Sequence, residues 1–360
     1  MATSHRVSLR EVARRAGVSI STVSRVLTSS PHPVSAATRD RVLAAASELD
    51  YYPDAAARSL KSRRSGIVGV IVHDISLPGS GGLVRGVEEI ALANGSLVMV
   101  CSGDSVLERE LAAIRALRGL RADGLILAGR GVLDEAYTRE LAAQAAAVMA
   151  QRQVVVSTLD QLGGVPQVRC DQIEVGRLAA SYLCRRGHRR IAVAAGLAHE
   201  RTTAERLAGY AETLAAAGVG FDPGLVVYGK GGAAAEAGRE AAELLLERGE
   251  LFTAVFAAGE GMDGGVLQAL TSQGIRVPEE VSVIGVSADG DGGSSSGAGL
   301  TTVDLPAREL GRRAMQTVLE LADPDLSDEA FAAGRSREHV LLPQLIERGS
   351  VRSLAGLARR

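Results

Sequence analysis

Apolar residues recur at helical spacing from the start of the chain: Leu9, Val12, Ala13 and Ala16 fall at i, i+3, i+4 and i+7 and form one stripe. Ser8 with Glu11 three residues on is a capping box, so a short helix starts at Leu9. Gly17 stands where a left-handed C-terminal residue is wanted, and Ser19 is placed to cap a second helix starting near Ile20. Val23, Val26 and Leu27 face inward from that second helix, leaving Ile20, Ser21, Ser24 and Arg25 outward. A third helix follows, then a Pro-led fourth over Pro53 to Lys61 that is too short to be stable alone. The pattern predicts an all-α helix-turn-helix head whose second helix lies in a major groove, Arg25 reaching guanine O6 and N7 while Ile20 and Ser21 add an apolar and a small polar contact.

From Gly66 on the period changes. Short apolar runs at Ile67–Val72, Leu97–Cys101, Gly124–Leu127, Val154–Val156, Ile191–Ala194, Leu225–Tyr228, Ala254–Phe256 and Val281–Val286 alternate with helical stretches such as Glu108–Leu120, Val175–Cys184 and Arg206–Ala217. Such alternation predicts parallel sheets with helices on both faces, and eight strands exceed one comfortable sheet, so an α/β body of two doubly wound lobes is expected. Between Asp289 and Gly299 runs a Gly/Ser-rich segment that cannot pack a core; an insertion is favoured over a ligand-ordered lid.

Charge sharpens the division. Residues 1–64 hold eleven Lys and Arg against five Asp and Glu, hence +6, and since the whole chain carries −2 the remainder carries −8. A basic head on an acidic body is the footprint of binding to double-stranded DNA, with phosphate contacts giving the salt-dependent affinity. The 360 residues suit a small head and a large body, and 46% hydrophobic composition supports a sizeable core. With no apolar run of about 18 residues and no signal-like leader, a cytoplasmic protein with no membrane partner is expected. Cys101, Cys170 and Cys184 lack CxxC spacing and are read as reduced, with no metal site. Gly229-Lys230-Gly231-Gly232 lacks the rest of a phosphate loop, His188 has no nucleophile partner, and no HExxH or GxSxG occurs, so neither catalysis nor a cofactor is expected.

The strings Leu9-Arg10-Glu11-Val12-Ala13, Ala16-Gly17-Val18-Ser19, Thr22-Val23-Ser24-Arg25-Val26-Leu27, Val34-Ser35 with Thr38-Arg39, and Ala57-Arg58-Ser59-Leu60 resemble the DNA-binding head of the lactose-repressor (LacI/GalR) family of bacterial transcription regulators. Thr28 and Asp54 depart from the family's usual Asn, and the loop after Leu27 is one residue longer than common. The resemblance implies phosphate contacts from Ser8, Ser19, Thr22, Ser24, Thr28, Ser35, Thr38 and Arg39, and a hinge helix in which Ala57, Arg58 and Leu60 meet the minor groove, Leu60 as a wedge.

The likeness continues through Gly69-Val70-Ile71-Val72, Ala122-Asp123-Gly124-Leu125-Ile126-Leu127, Arg186-Gly187-His188-Arg189-Arg190-Ile191-Ala192, Arg206-Leu207-Ala208-Gly209-Tyr210 and Val277 to Gly285. It implies a type I periplasmic-binding-protein-like body, a homodimer on a near-palindromic operator, and a small-molecule effector, carbohydrate-like by family habit, in the cleft. The expected layout is a head over 1–52, a hinge over 53–65, a body over 66–348 and a tail over 349–360, with an N-lobe of 66–162 and 289–323, a C-lobe of 163–288 and 324–348, and crossings near 162, 288 and 323. Asp74, Ser157, Arg206, Glu260 and Ser287 are the expected effector residues, although the family's aromatic wall and several of its carboxylates are missing here. Two readings stay open: a ligand unlike the usual monosaccharide, or a body that has lost ligand control and serves in dimerisation. A solute-binding receptor is the rival from another class, disfavoured by the basic head.

Overall fold

The computed structural model describes residues 7–27, 33–51, 64–159, 162–289 and 299–354. Two compact units divide the chain, Met1–Gly66 and Ile67–Arg360.

The first unit contains α1 (Leu9–Ala16), α2 (Ile20–Leu27) and α3 (Ala36–Glu48). The Glu11 carboxylate accepts the Ser8 backbone N–H at 2.8 Å, closing the expected box. Gly17 takes φ +65°, and the Val18 N–H returns to the Ala13 carbonyl at 3.1 Å. Ser19 Oγ then accepts the Thr22 N–H at 3.1 Å, and Ser35 Oγ accepts the Thr38 N–H at 3.3 Å. Val12, Val23, Val26 and Val42 close the core between the three helices. The fourth helix expected over Pro53 to Lys61 lies outside the described residues, as do Thr28, Ala57, Arg58, Leu60, most of the 289–299 segment and the end of the tail.

The second unit holds two six-stranded sheets of matching order. One contains β1 (Ile67–Val72), β2 (Leu97–Ser102), β3 (Gly124–Ala128), β4 (Val154–Ser157), β5 (Gln167–Cys170) and β11 (Glu338–Leu341), in the order β2-β1-β3-β4-β5-β11. The other contains β6 (Ile191–Leu197), β7 (Val226–Gly229), β8 (Ala254–Ala257), β9 (Ser282–Ala288), β10 (Thr301–Leu305) and β12 (Gln344–Ile346), in the order β7-β6-β8-β9-β10-β12. The pairs are parallel except β10 with β12. Central strands such as β3 and β8 are buried along their length, which is why they read as unbroken apolar runs. Helices α4 (Pro78–Ala93), α5 (Leu107–Gly119), α6 (Glu135–Met149) and α11 (Ala307–Leu321) accompany the first sheet, and α7 (Gln172–Arg185), α8 (Arg201–Ala216), α9 (Ala234–Glu247) and α10 (Asp263–Ser272) the second; α12 (Asp328–Gly334) precedes β11.

The doubly wound fold class is as expected, but the crossings are not where the sequence put them. β5 belongs to the first sheet and β10 to the second, so the chain changes lobe after Cys170, after Leu305 and after Leu341, rather than near 162, 288 and 323. The physical reason is that β5, β10, β11 and β12 are short and interrupted by Gln167, Arg169, Asp304, Glu338 and Gln344, so they carry no apolar run.

Three helix pairs approach so closely that glycine is required at the contact. A Cβ on Gly86 would sit 2.0 Å from the Arg308 carbonyl oxygen, one on Gly176 1.9 Å from that of Arg206, and one on Gly265 1.7 Å from that of Ala235. By contrast Gly264, the adjacent residue, has nothing within 4 Å. Gly265→Ala is therefore expected to force α9 and α10 apart and cost about 1–3 kcal/mol, whereas Gly264→Ala gains up to about 1 kcal/mol from reduced chain entropy. Paired denaturant unfolding curves check the opposite signs.

Candidate functional site

In the head, α2 buries Val23 and Val26 and turns Ile20, 46% exposed, outward together with the exposed Ser21 and Arg25. Ser24 and Thr22 sit half-buried beside them. Ser19 Oγ also meets the Ser21 and Thr22 hydroxyls, each at 2.8 Å, which fixes the first turn of α2. Ser8, Ser35 and Thr38 are engaged in the caps, and Arg39 is exposed on α3. The outward face of α2 thus offers apolar, hydroxyl and guanidinium groups in one row, and a guanidinium can make two parallel bonds to a guanine edge.

In the body a cavity of about 140 Å³ lies between the lobes. It opens where strand order reverses in the first sheet, past the carboxyl ends of β1 and β3, the place where open α/β sheets bind ligands. His73 follows β1, Arg130 follows β3, and the first turns of α8 bring Arg201, Glu205 and Arg206 from the other lobe. The lobes touch beside it: Val132 and Glu200 form an antiparallel bridge, the Leu133 N–H donates to the His199 carbonyl at 2.8 Å, and the Arg201 N–H to that of Gly131 at 3.3 Å. Arg130 faces the buried Glu200 at 3.4 Å, and the Gly79 N–H donates to Glu260.

Arg206 is only 6% exposed. Its Nε donates to Gln172 Oε1 at 2.8 Å and its Nη1 to the Ala258 carbonyl at 2.7 Å. Burial and the neighbouring Arg130 charge push its guanidinium below the usual arginine range, and Glu260 opposes that shift. His73 is lowered too, by burial and Arg130, so at neutral pH it is an uncharged ring. Its Nδ1 lies 3.0 Å from Ser105 Oγ. Cys170, also on the cavity wall, is pushed up to about 12 by burial and stays a thiol.

Of the five residues expected in the cleft, Arg206 and Glu260 border this cavity and three do not. Asp74 instead accepts the Ser76 N–H and hydroxyl, both at 2.8 Å, and caps the turn ahead of α4. Ser157 closes a turn on the Leu159 N–H at 2.9 Å. Ser287 bonds Thr302 and Asp304, each at 2.9 Å, between β9 and β10. Their short side chains are consumed by the adjoining backbone and strands before they reach the cavity. His73, Arg130 and Arg201 were missed by sequence reasoning; the signal was there in Ala128-Gly129-Arg130-Gly131, a charged residue among glycines just past an apolar strand. His188 is buried between Thr253 Oγ1 at 2.9 Å and the Arg352 carbonyl at 3.2 Å. No group of three or more metal-ligating side chains occurs among the described residues, and no helix among them is long and apolar enough to cross a membrane.

Behind the cavity wall Tyr137 donates its hydroxyl to the buried Glu110 at 2.5 Å. Burial raises the Glu110 carboxyl above its ordinary value, more than the Tyr137 bond lowers it. A raised folded-state pKa contributes stability that is fully present below the unfolded value, about 4.3, and is lost as pH rises through the folded one. Glu110→Gln is therefore expected to gain on the wild type as pH climbs above about 4.3. Unfolding free energies of both proteins from mildly acid to neutral pH check this, and a constant gap contradicts it.

Residues 8–54 match the family described as bacterial regulatory proteins, lacI family, and residues 180–351 match a periplasmic binding protein-like domain. The chain is 30% identical to the HTH-type transcriptional repressor PurR of Vibrio atlanticus over 96% of its own length and 99% of the relative's. It is 32% identical to the HTH-type transcriptional repressor CytR of Escherichia coli, over 96% and 97% of the two chains. The lac repressor dimer bound to operator and the anti-inducer ONPF superposes with a TM-score of 0.78 at 28% identity, covering 96% of this chain and 99% of that one. The complex of the transcriptional regulator CelR with cellobiose gives 0.66 at 30% identity, covering 96% and 100%. Helix-turn-helix head, paired sheets and full-length relatives agree: the chain belongs to the lacI family of bacterial regulatory proteins.

Proposed function

We propose that this protein is a transcriptional repressor that binds a near-palindromic operator as a homodimer, under the control of a small molecule held between the lobes of its body. The observation that carries the DNA half is the outward row Ile20, Ser21 and Arg25 on a helix anchored by its own apolar face, on a head of charge +6. Two-fold symmetry of the dimer supplies two such rows for two half-sites. Ser8, Ser19, Thr22, Ser24, Thr28, Ser35, Thr38 and Arg39 are assigned to phosphates, and Ala57, Arg58 and Leu60 to the minor groove at the operator centre. A regulator of this kind acts in the cytoplasm, where the DNA is, and its cycle needs no catalytic step.

For the control half, the cavity with its open guanidinium donors favours a retained effector over a body reduced to dimerisation. A ligand that contacts both lobes stabilises one lobe orientation and shifts operator affinity by its differential affinity for the two orientations, typically about 1–3 kcal/mol.

Selection of bound fragments from the source genome by the purified full-length protein is expected to recover an inverted repeat; failure to prefer any such repeat over bulk DNA at moderate salt overturns the reading. On that repeat Arg25→Ala is expected to lose about 1–3 kcal/mol and to relax base preference at one position per half-site. An equal loss on random duplex contradicts base reading by this side chain. Leu60→Ala is expected to reduce the bend of the bound operator, measured by fluorescence transfer between duplex ends, and an unchanged bend removes the wedge.

A further inference from the structure

We propose that the interlobe cavity is built for a small molecule bearing a compact oxyanion, a carboxylate or a phosphate monoester, gripped by Arg130, Arg201 and Arg206. The proposal rests on the cavity being the effector site and adds the chemical class of its occupant.

Three guanidinium groups reach the cavity with donors unspent. Arg206 is almost wholly buried, yet its two partners, Gln172 and the Ala258 carbonyl, are both neutral. None of the described carboxylates lies within ion-pair distance of it. Arg130 leans on Glu200 through Nη1 at 3.4 Å, while its Nη2 is buried with no hydrogen-bond partner. Arg201, at the first turn of α8, makes no ion pair or side-chain hydrogen bond among the described residues, although it borders the cavity. A buried cation without a counter-charge and a buried N–H without an acceptor are each costly, by about 1–3 kcal/mol for the unmade hydrogen bond alone. Both costs are relieved by one acceptor-rich, negatively charged group.

The acids of the site do not fill that role. Arg169, a fourth guanidinium on the wall, is already paired with Glu338 at 2.8 Å. Glu260 receives the Gly79 N–H from the opposite lobe. Glu260 remains on the wall as an acceptor for a ligand hydroxyl, so the anion is one end of a polar molecule rather than a bare ion. A neutral sugar has less to hold: among the described residues Tyr137 is the one Phe, Tyr or Trp bordering the cavity, and its hydroxyl is committed to Glu110. Ser157 and Ser287 are bonded elsewhere. An oxyanion lying between Arg130 of one lobe and Arg206 of the other also screens the repulsion between them, and so favours the lobe arrangement in which the Arg201 N–H meets the Gly131 carbonyl.

The test titrates the full-length protein with inorganic phosphate, gluconate and glucose at ionic strength held constant with chloride, and follows Tm and operator affinity together. Phosphate or gluconate is expected to raise Tm saturably where glucose does not, the stronger of the two identifying the anion. Arg130→Gln, Arg201→Gln and Arg206→Gln are each expected to weaken that protection about tenfold or more. Arg201→Gln, with no partner to lose, keeps the result readable if Arg206→Gln fails to fold. Glucose protecting as well as gluconate, neither anion exceeding chloride, or anion protection unchanged in the variants overturns the proposal. Glucose protection that vanishes in Arg206→Gln overturns the anion while leaving the cavity as effector site. Anion binding that is lost in the variants but never alters operator affinity supports the anion and sinks the effector reading.

Discussion

Arg206 carries a charge almost wholly out of water, and the geometry of the body around it is what makes that tolerable. Moving a guanidinium into the interior costs several kcal/mol unless its donors are met. Gln172 meets one from the start of α7, immediately after the chain first changes lobe, and Ala258 another from the end of β8. Gln172 is in reach because α7 and α8 approach at Gly176 and Gly209, where a Cβ would overlap the Arg206 and Ile173 carbonyl oxygens. A close helix contact thereby becomes a positioning device for the cavity, and shifting α8 breaks both bonds at once.

The contacts across the lobes have a different character. The Val132–Glu200 bridge, the Gly79–Glu260 bond and the long Arg130–Glu200 pair are local and polar. Four of the residues that make them, Gly79, Arg130, Val132 and Glu260, also border the cavity. A ligand bound there biases such contacts only by its differential affinity for the two lobe orientations.

The head was legible because every signal in it is local. Ser8 with Glu11, Gly17, Ser19 and Ser35 act on backbone groups no more than a few residues away, and the apolar stripe needs only the helical period. The eight apolar strands were legible for the same reason. β5, β10, β11 and β12 were not, since their pairing is long-range: Gln167 to Cys170 finds Glu338 to Leu341, and Thr302 finds Ile346. These strands decide where the chain crosses between lobes, so missing them displaced all three crossings.

The cleft residues show a second limit of the same kind. Ser157 and Ser287 stand at strand ends, the correct address, but a serine hydroxyl reaches only about one hydrogen bond beyond its own backbone and is captured there. Arginine behaves oppositely. Its long stem lets Arg130 and Arg201 start from loop and helix positions and still deliver donors into the cavity. Shortening the strand-end side chains while lengthening those of the loops past them changes what the cavity can bind, and leaves β1, β3, β6 and β8 in place. The central strands β1, β3, β6 and β8 are thus set by buried apolar runs, the chemistry of the cleft by side-chain reach, and the two can vary independently.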